Sequence, residues 1–200
     1  VGSQNGSYSD TVTMTGTLVN GQTAPTGIYT SSFSGAAFSI TLTSNTNSPP
    51  TTCTTVQAAP PILTATATVI KSCKVTVASN INLGSVPSTA VNTSGTNNIS
   101  VTCANTTPYF IGLAPSNGSN TGAGTMSGTG SNTDKVPYQL NSVSAAGPIW
   151  GNTATSTSVG NGVAGIGTGL AQTIPVYAKA PGANYTPDIY SDTVTVNVNY

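Results

Sequence analysis

The chain has 200 residues, and only 4% of them are charged, against about 25% in an average domain. Four Lys balance four Asp, while Arg, Glu and His are absent, so the formal net charge is zero. This excludes a basic nucleic-acid surface, a Ser-His-Asp triad, a histidine metal site and an imidazole pH switch.

No apolar run approaches the ~18 residues of a membrane-spanning helix. Thr, Ser, Asn, Ala and Val dominate, and 22 Gly and 13 Pro supply turns. β-Branched residues outnumber long-chain helix formers, so the composition predicts an all-β protein. The opening residues, Val1-Gly-Ser-Gln-Asn-Gly-Ser, lack the basic and apolar regions of a signal peptide. They read as the start of a mature protein or of an internal fragment.

The first alternating segment places Tyr8, Val12, Met14 and Leu18 on one face of a half-buried strand. Asn20-Gly21 follows as a hairpin turn. Further strands are predicted over Gly27–Phe33 and Phe38–Leu42. Three strands do not close a sandwich. Residues 1–48 therefore read as the C-terminal part of an N-terminal β domain. Residues 49–63 carry Pro49-Pro50 and Pro60-Pro61 in a polar setting and read as a semi-rigid linker.

Strands resume in a second domain, 64–200. Thr64–Val77 carries Ala65, Ala67, Val69, Cys73, Val75 and Val77 on one parity. Asn82–Pro87 reads as a short strand ending in a turn. Asn98–Cys103 and Tyr109–Leu113 are two more strands. Residues 115–133 read as a long loop, followed by strands at Val136–Leu140 and Gly147–Gly151. A second Gly-rich loop, 160–169, precedes strands at Ala171–Ala178 and Tyr190–Tyr200. Many short strands punctuated by Gly and Pro predict a β-sandwich. Tyr8-Ser-Asp-Thr-Val-Thr recurs as Tyr190-Ser-Asp-Thr-Val-Thr, so the two domains read as related.

Three cysteines are present. Cys73 and Cys103 share inward parity with Val75 and Val101, and an exported, low-charge β chain favours a disulfide between them over two buried thiols. Cys53 is then left over, with its partner expected upstream. Asp188 and Asp192, with Asp134, offer a carboxylate set, but turn or edge roles fit them better. Lys71 and Lys74 read as edge charges that discourage aggregation. Gly165-Ile-Gly-Thr-Gly lacks the Lys and helix of a phosphate loop. Trp150 reads as an inter-sheet anchor rather than a sugar-stacking surface. Six Asn-x-Ser/Thr sequons arise readily by chance in such a composition. No catalytic constellation, cofactor or metal site emerges, and the chain reads as a non-enzyme.

The last strand is regular and apolar on one face: Val194, Val196, Val198 and Tyr200. Such an edge invites strand addition from another chain.

The stretches Ala67-Thr-Val, Cys73-Lys-Val, Asn82-Leu-Gly-Ser-Val, Ile99-Ser-Val-Thr-Cys103, Pro108-Tyr-Phe-Ile-Gly-Leu, Tyr138-Gln-Leu, Trp150-Gly, Ile174-Pro-Val-Tyr and Tyr190–Tyr200 resemble the spore coat protein U-like domain family. That family includes the pilin domain of archaic chaperone–usher pili. The resemblance implies an all-β fold: an incomplete immunoglobulin-like β-sandwich of pilin type, preceded here by the tail of a second β domain. It implies that a periplasmic chaperone, and then the donor strand of a neighbouring pilin subunit, fills the missing strand position, with an usher as further partner. The groove would lie between Ala65, Ala67 and Val69 on one wall and Val194, Val196, Val198 and Tyr200 on the other. The two-domain layout resembles a tip adhesin at the bacterial surface, exported through the periplasm, that binds an unidentified surface or host receptor and supports attachment and biofilm formation. The alternative is a rod or coat subunit polymerising through its own N-terminal donor strand, for which Phe38–Leu42 is a candidate.

Overall fold

The computed structural model describes residues 15–17, 19, 21–34, 62–77 and 80–200. Ten strands and no helix occur among them. They are β1 (Gly27–Phe33), β2 (Leu63–Val69), β3 (Cys73–Val77), β4 (Val91–Cys103), β5 (Pro108–Pro115), β6 (Ala123–Ser127), β7 (Lys135–Asn141), β8 (Val163–Ile166), β9 (Ala171–Gly182) and β10 (Val194–Asn199).

Two antiparallel sheets share one core. The larger has the order β3-β4-β9-β7-β6 and the smaller β10-β5-β8. Period-2 alternation explains which residues meet. Ile99, Val101 and Cys103 of β4 and Tyr138 and Leu140 of β7 point inward from the larger sheet. Tyr109, Ile111 and Leu113 of β5 face them, with Val194, Val196 and Val198 of β10 packed alongside. The fold is therefore all-β, a sandwich as the sequence predicts. β10 lies at the edge of its sheet, paired on one side with β5.

Trp150 is fully buried and joins the layers. Its backbone N–H donates to Leu140 O at 2.9 Å, and its indole Nε1–H donates to Ile111 O at 2.8 Å. The structural role expected for it is the one observed. Cys73 and Cys103 are cross-strand partners of β3 and β4 and are disulfide-bonded, with Cα atoms 4.1 Å apart.

Four sequence expectations need correction. Thr64–Val77 is not one strand, because the chain leaves β2 at Ile70 and re-enters a different sheet at Cys73. Asn82–Pro87 forms no strand. The Gly-rich stretches 115–133 and 160–169 each contain one, β6 and β8. In both, a glycine stands opposite a tyrosine: Gly124 opposite Tyr138, and Gly165 opposite Tyr109. Each ring lies over its glycine so closely that a Cβ there would fall within 2.3 Å of the phenol oxygen. The tyrosines supply the apolar cover that these strands lack. Lastly, Ile149 makes a single bridge to Asn141 rather than a strand at 147–151.

β1 and β2 form a separate two-stranded ribbon. It joins Gly27–Phe33 to Leu63–Val69 across the segment read as a linker. Most of that linker, Cys53, and nearly all of the strands expected at Tyr8–Leu18 and Phe38–Leu42 lie outside the described residues.

Candidate functional site

A groove of about 1190 Å³ lies between β10 and the inner face of the larger sheet. Its β10 wall is Val194 and Val196, which alternate inward along the edge strand. Its floor is Ile99 of β4 with Val176, Ala178 and Ala180 of β9. Ile81 and Leu83, from the segment before β4, also line it and pack on the core.

The groove's chemistry is apolar below and polar at one end. There, β10 begins at an anchored carboxylate. Asp192 accepts a hydrogen bond from the buried Tyr138 hydroxyl at 2.6 Å, and others from Ser116 Oγ and the Thr193 N–H. Burial, reinforced by the hydrogen bond to Asp192 and its charge, pushes the Tyr138 hydroxyl well above the ordinary tyrosine range. Beside it, Ser191 and Ser127 exchange two backbone hydrogen bonds, which stitch the approach to β10 onto β6. The two sheets are thus tied together at this end.

Asp188 serves a second polar cluster. It accepts from Thr129 Oγ1 at 2.5 Å, Thr129 N at 2.7 Å and Asn132 Nδ2 at 2.8 Å. The Thr129 hydroxyl, with Asn132 and two backbone N–H groups, holds its carboxyl below the usual carboxylate range. Asp134 accepts from Thr186 N at 2.9 Å, and that bond lowers its pKa likewise. The three aspartates therefore anchor loops, in the turn and edge roles expected of them. Among the described residues, no group of three or more Cys and Asp side chains comes together to hold a metal.

The expected groove residues divide. Val194 and Val196 line the groove. Val198 packs against the core but lies beyond the groove lining, and Tyr200 is 45% exposed past the end of β10. Ala65, Ala67 and Val69 are not its opposite wall. They lie on β2, where they share the ribbon's apolar face with Tyr29 and Phe33. The reason is pairing: β2 joins β1, so it adds to neither sandwich sheet. The opposite wall comes instead from Ile99, Val176, Ala178 and Ala180. The alternation Ile174-Pro-Val-Tyr-Ala-Lys-Ala180 carried that signal in the sequence.

A family model described as Spore Coat Protein U domain matches residues 60–197. No curated protein matches the chain. Among solved structures, it is similar to a chain of the CsuC–CsuE chaperone–tip adhesion subunit pre-assembly complex from archaic chaperone–usher Csu pili of Acinetobacter baumannii. The TM-score is 0.48 at 20% identity, covering 71% of this chain and 44% of that one. This chain thus spans less than half the length of that neighbour.

Proposed function

This chain belongs to the Spore Coat Protein U domain family, and from that premise we propose that it is a subunit of a chaperone–usher pilus. The observation that carries the reading is the apolar groove beside β10, an edge strand among the described residues. An incoming strand would meet two needs together. Its backbone would extend the β10-β5-β8 ladder, and its alternate side chains would enter the groove over Ile99 and Val176. A periplasmic chaperone supplies that strand during export, and a neighbouring subunit supplies it at the usher and in the finished fibre. The work is structural, with no chemical step.

Within the pilus we place the chain at the tip, as an adhesin. Phe38–Leu42, the candidate donor of a rod subunit, lies outside the described residues. The echo of Tyr190-Ser-Asp-Thr-Val-Thr at Tyr8 supports a second, related domain. Attachment to a surface and biofilm formation are the expected outputs. Immunogold labelling of assembled pili tests the position. Label at the ends supports the adhesin, and label along the shaft overturns it in favour of a rod subunit.

A further inference from the structure

The groove is not empty along its whole length. Ile81 and Leu83 alternate into it, as the side chains of an inserted strand would, yet their segment belongs to neither ladder. Its Gly84 N–H turns back onto Asn82 Oδ1 at 2.8 Å instead of pairing with a strand. The floor beneath is cut away to receive it. Gly95 of β4 stands opposite Ala178 of β9, and Thr93 stands opposite Ala180. A Cβ on Gly95 would lie 2.5 Å from Asn82 O and 3.0 Å from Ile81 Cγ2. Gly95 therefore has no side chain where the segment's backbone touches the sheet. Its strand position needs no special dihedral angle, so close approach is the reason for glycine here.

We propose that residues 80–86 are a resident plug, occupying part of the groove through Ile81 and Leu83 and leaving when a partner's strand enters. The proposal rests on the reading that the groove admits a strand, and it adds the competitor that strand must displace. The plug is held by side-chain burial and one close backbone contact, not by a ladder. It covers the floor before handover and costs little to remove. Its presence lowers the apparent affinity for any strand by the fraction of molecules in which the groove is free. Weakening the plug should therefore tighten binding, whereas weakening a groove wall should loosen it.

The test uses the full chain and, as probe, a synthetic peptide of residues 36–44, in which Phe38, Ile40 and Leu42 alternate. Backbone hydrogen exchange is followed at 80–86 and at 194–199, together with peptide affinity. Binding to the wild type should protect 194–199 and deprotect 80–86. Gly95→Ala should bind the peptide about tenfold more tightly or better. Should that variant fail to fold, Leu83→Ser removes an anchor without touching β4 and carries the same expectation. Protection of 194–199 with 80–86 unchanged, or unaltered affinity in the folded variants, overturns the plug and leaves strand addition standing. No protection of 194–199 in wild type or variants overturns displacement of the plug by a strand, and recovery of the chaperone with the wild type then decides separately whether the groove admits a partner's strand.

Discussion

The Tyr138 hydroxyl donates to Asp192 Oδ2 at 2.6 Å, tying β7 of the larger sheet to the residue just before β10 of the smaller one. Ser116, at the end of β5, donates to the same carboxylate. One aspartate thus gathers three chain segments where the groove's edge strand begins.

Tyr138→Phe keeps the ring over Gly124 and deletes only the hydroxyl. It should lower stability by about 1.5–3 kcal/mol, the worth of one hydrogen bond to a charged group. Urea denaturation should show a lower midpoint with an unchanged slope. A midpoint equal to wild type would show that the contact adds nothing.

Reducing Cys73–Cys103, which are 30 positions apart, releases a closed loop in the unfolded chain. The expected loss is roughly 3–4 kcal/mol. The double variant Cys73→Ser/Cys103→Ser should match the reduced wild type in denaturant midpoint, and Cys53→Ser should match the oxidised one. A reduced protein as stable as the oxidised form contradicts this.

Stability should be flat between about pH 5 and 7, because the chain has no His, and Asp134 and Asp188 are held below the usual carboxylate range. Asp188 is held below the usual range, first by the Thr129 hydroxyl. Its stabilising effect is present above the ordinary value of about 3.9 and is lost as pH falls below it. Tyr138 is raised, first by burial. Its effect is complete below the ordinary tyrosine value of about 10 and is lost as pH rises beyond it. Thermal midpoints across the pH range should trace this plateau with two falling arms, whereas a step near pH 6 would contradict it.

Side-chain periodicity was legible wherever apolar residues alternate. The inward set of β10, the cysteine pair and the buried Trp150 all follow from parity and composition. Ala65, Ala67 and Val69 were also placed correctly on one face, but parity does not say which sheet a strand joins. β2 pairs with β1, and the expected wall moved with it. β6 and β8 were hidden because their apolar cover is borrowed from Tyr138 and Tyr109 on neighbouring strands. The recess beneath residues 81–82 at Gly95 and Ala178 was illegible for a similar reason. Two small residues far apart in sequence become one feature only when β4 and β9 are in register.

Whether a partner's strand enters beside β10 is decided by recovery of a co-expressed periplasmic pilus chaperone with this chain. Val196 lines the groove, so Val196→Asp sets a charge where an apolar side chain should seat. The cost should exceed about 2 kcal/mol, enough to weaken binding roughly thirtyfold. Val143 is 75% exposed and away from the groove lining, so Val143→Asp serves as the control. With the Cys73–Cys103 bond intact in all three proteins, wild type and Val143→Asp should carry the chaperone through purification while Val196→Asp loses it. Equal recovery of the chaperone with Val196→Asp would contradict strand addition at this groove.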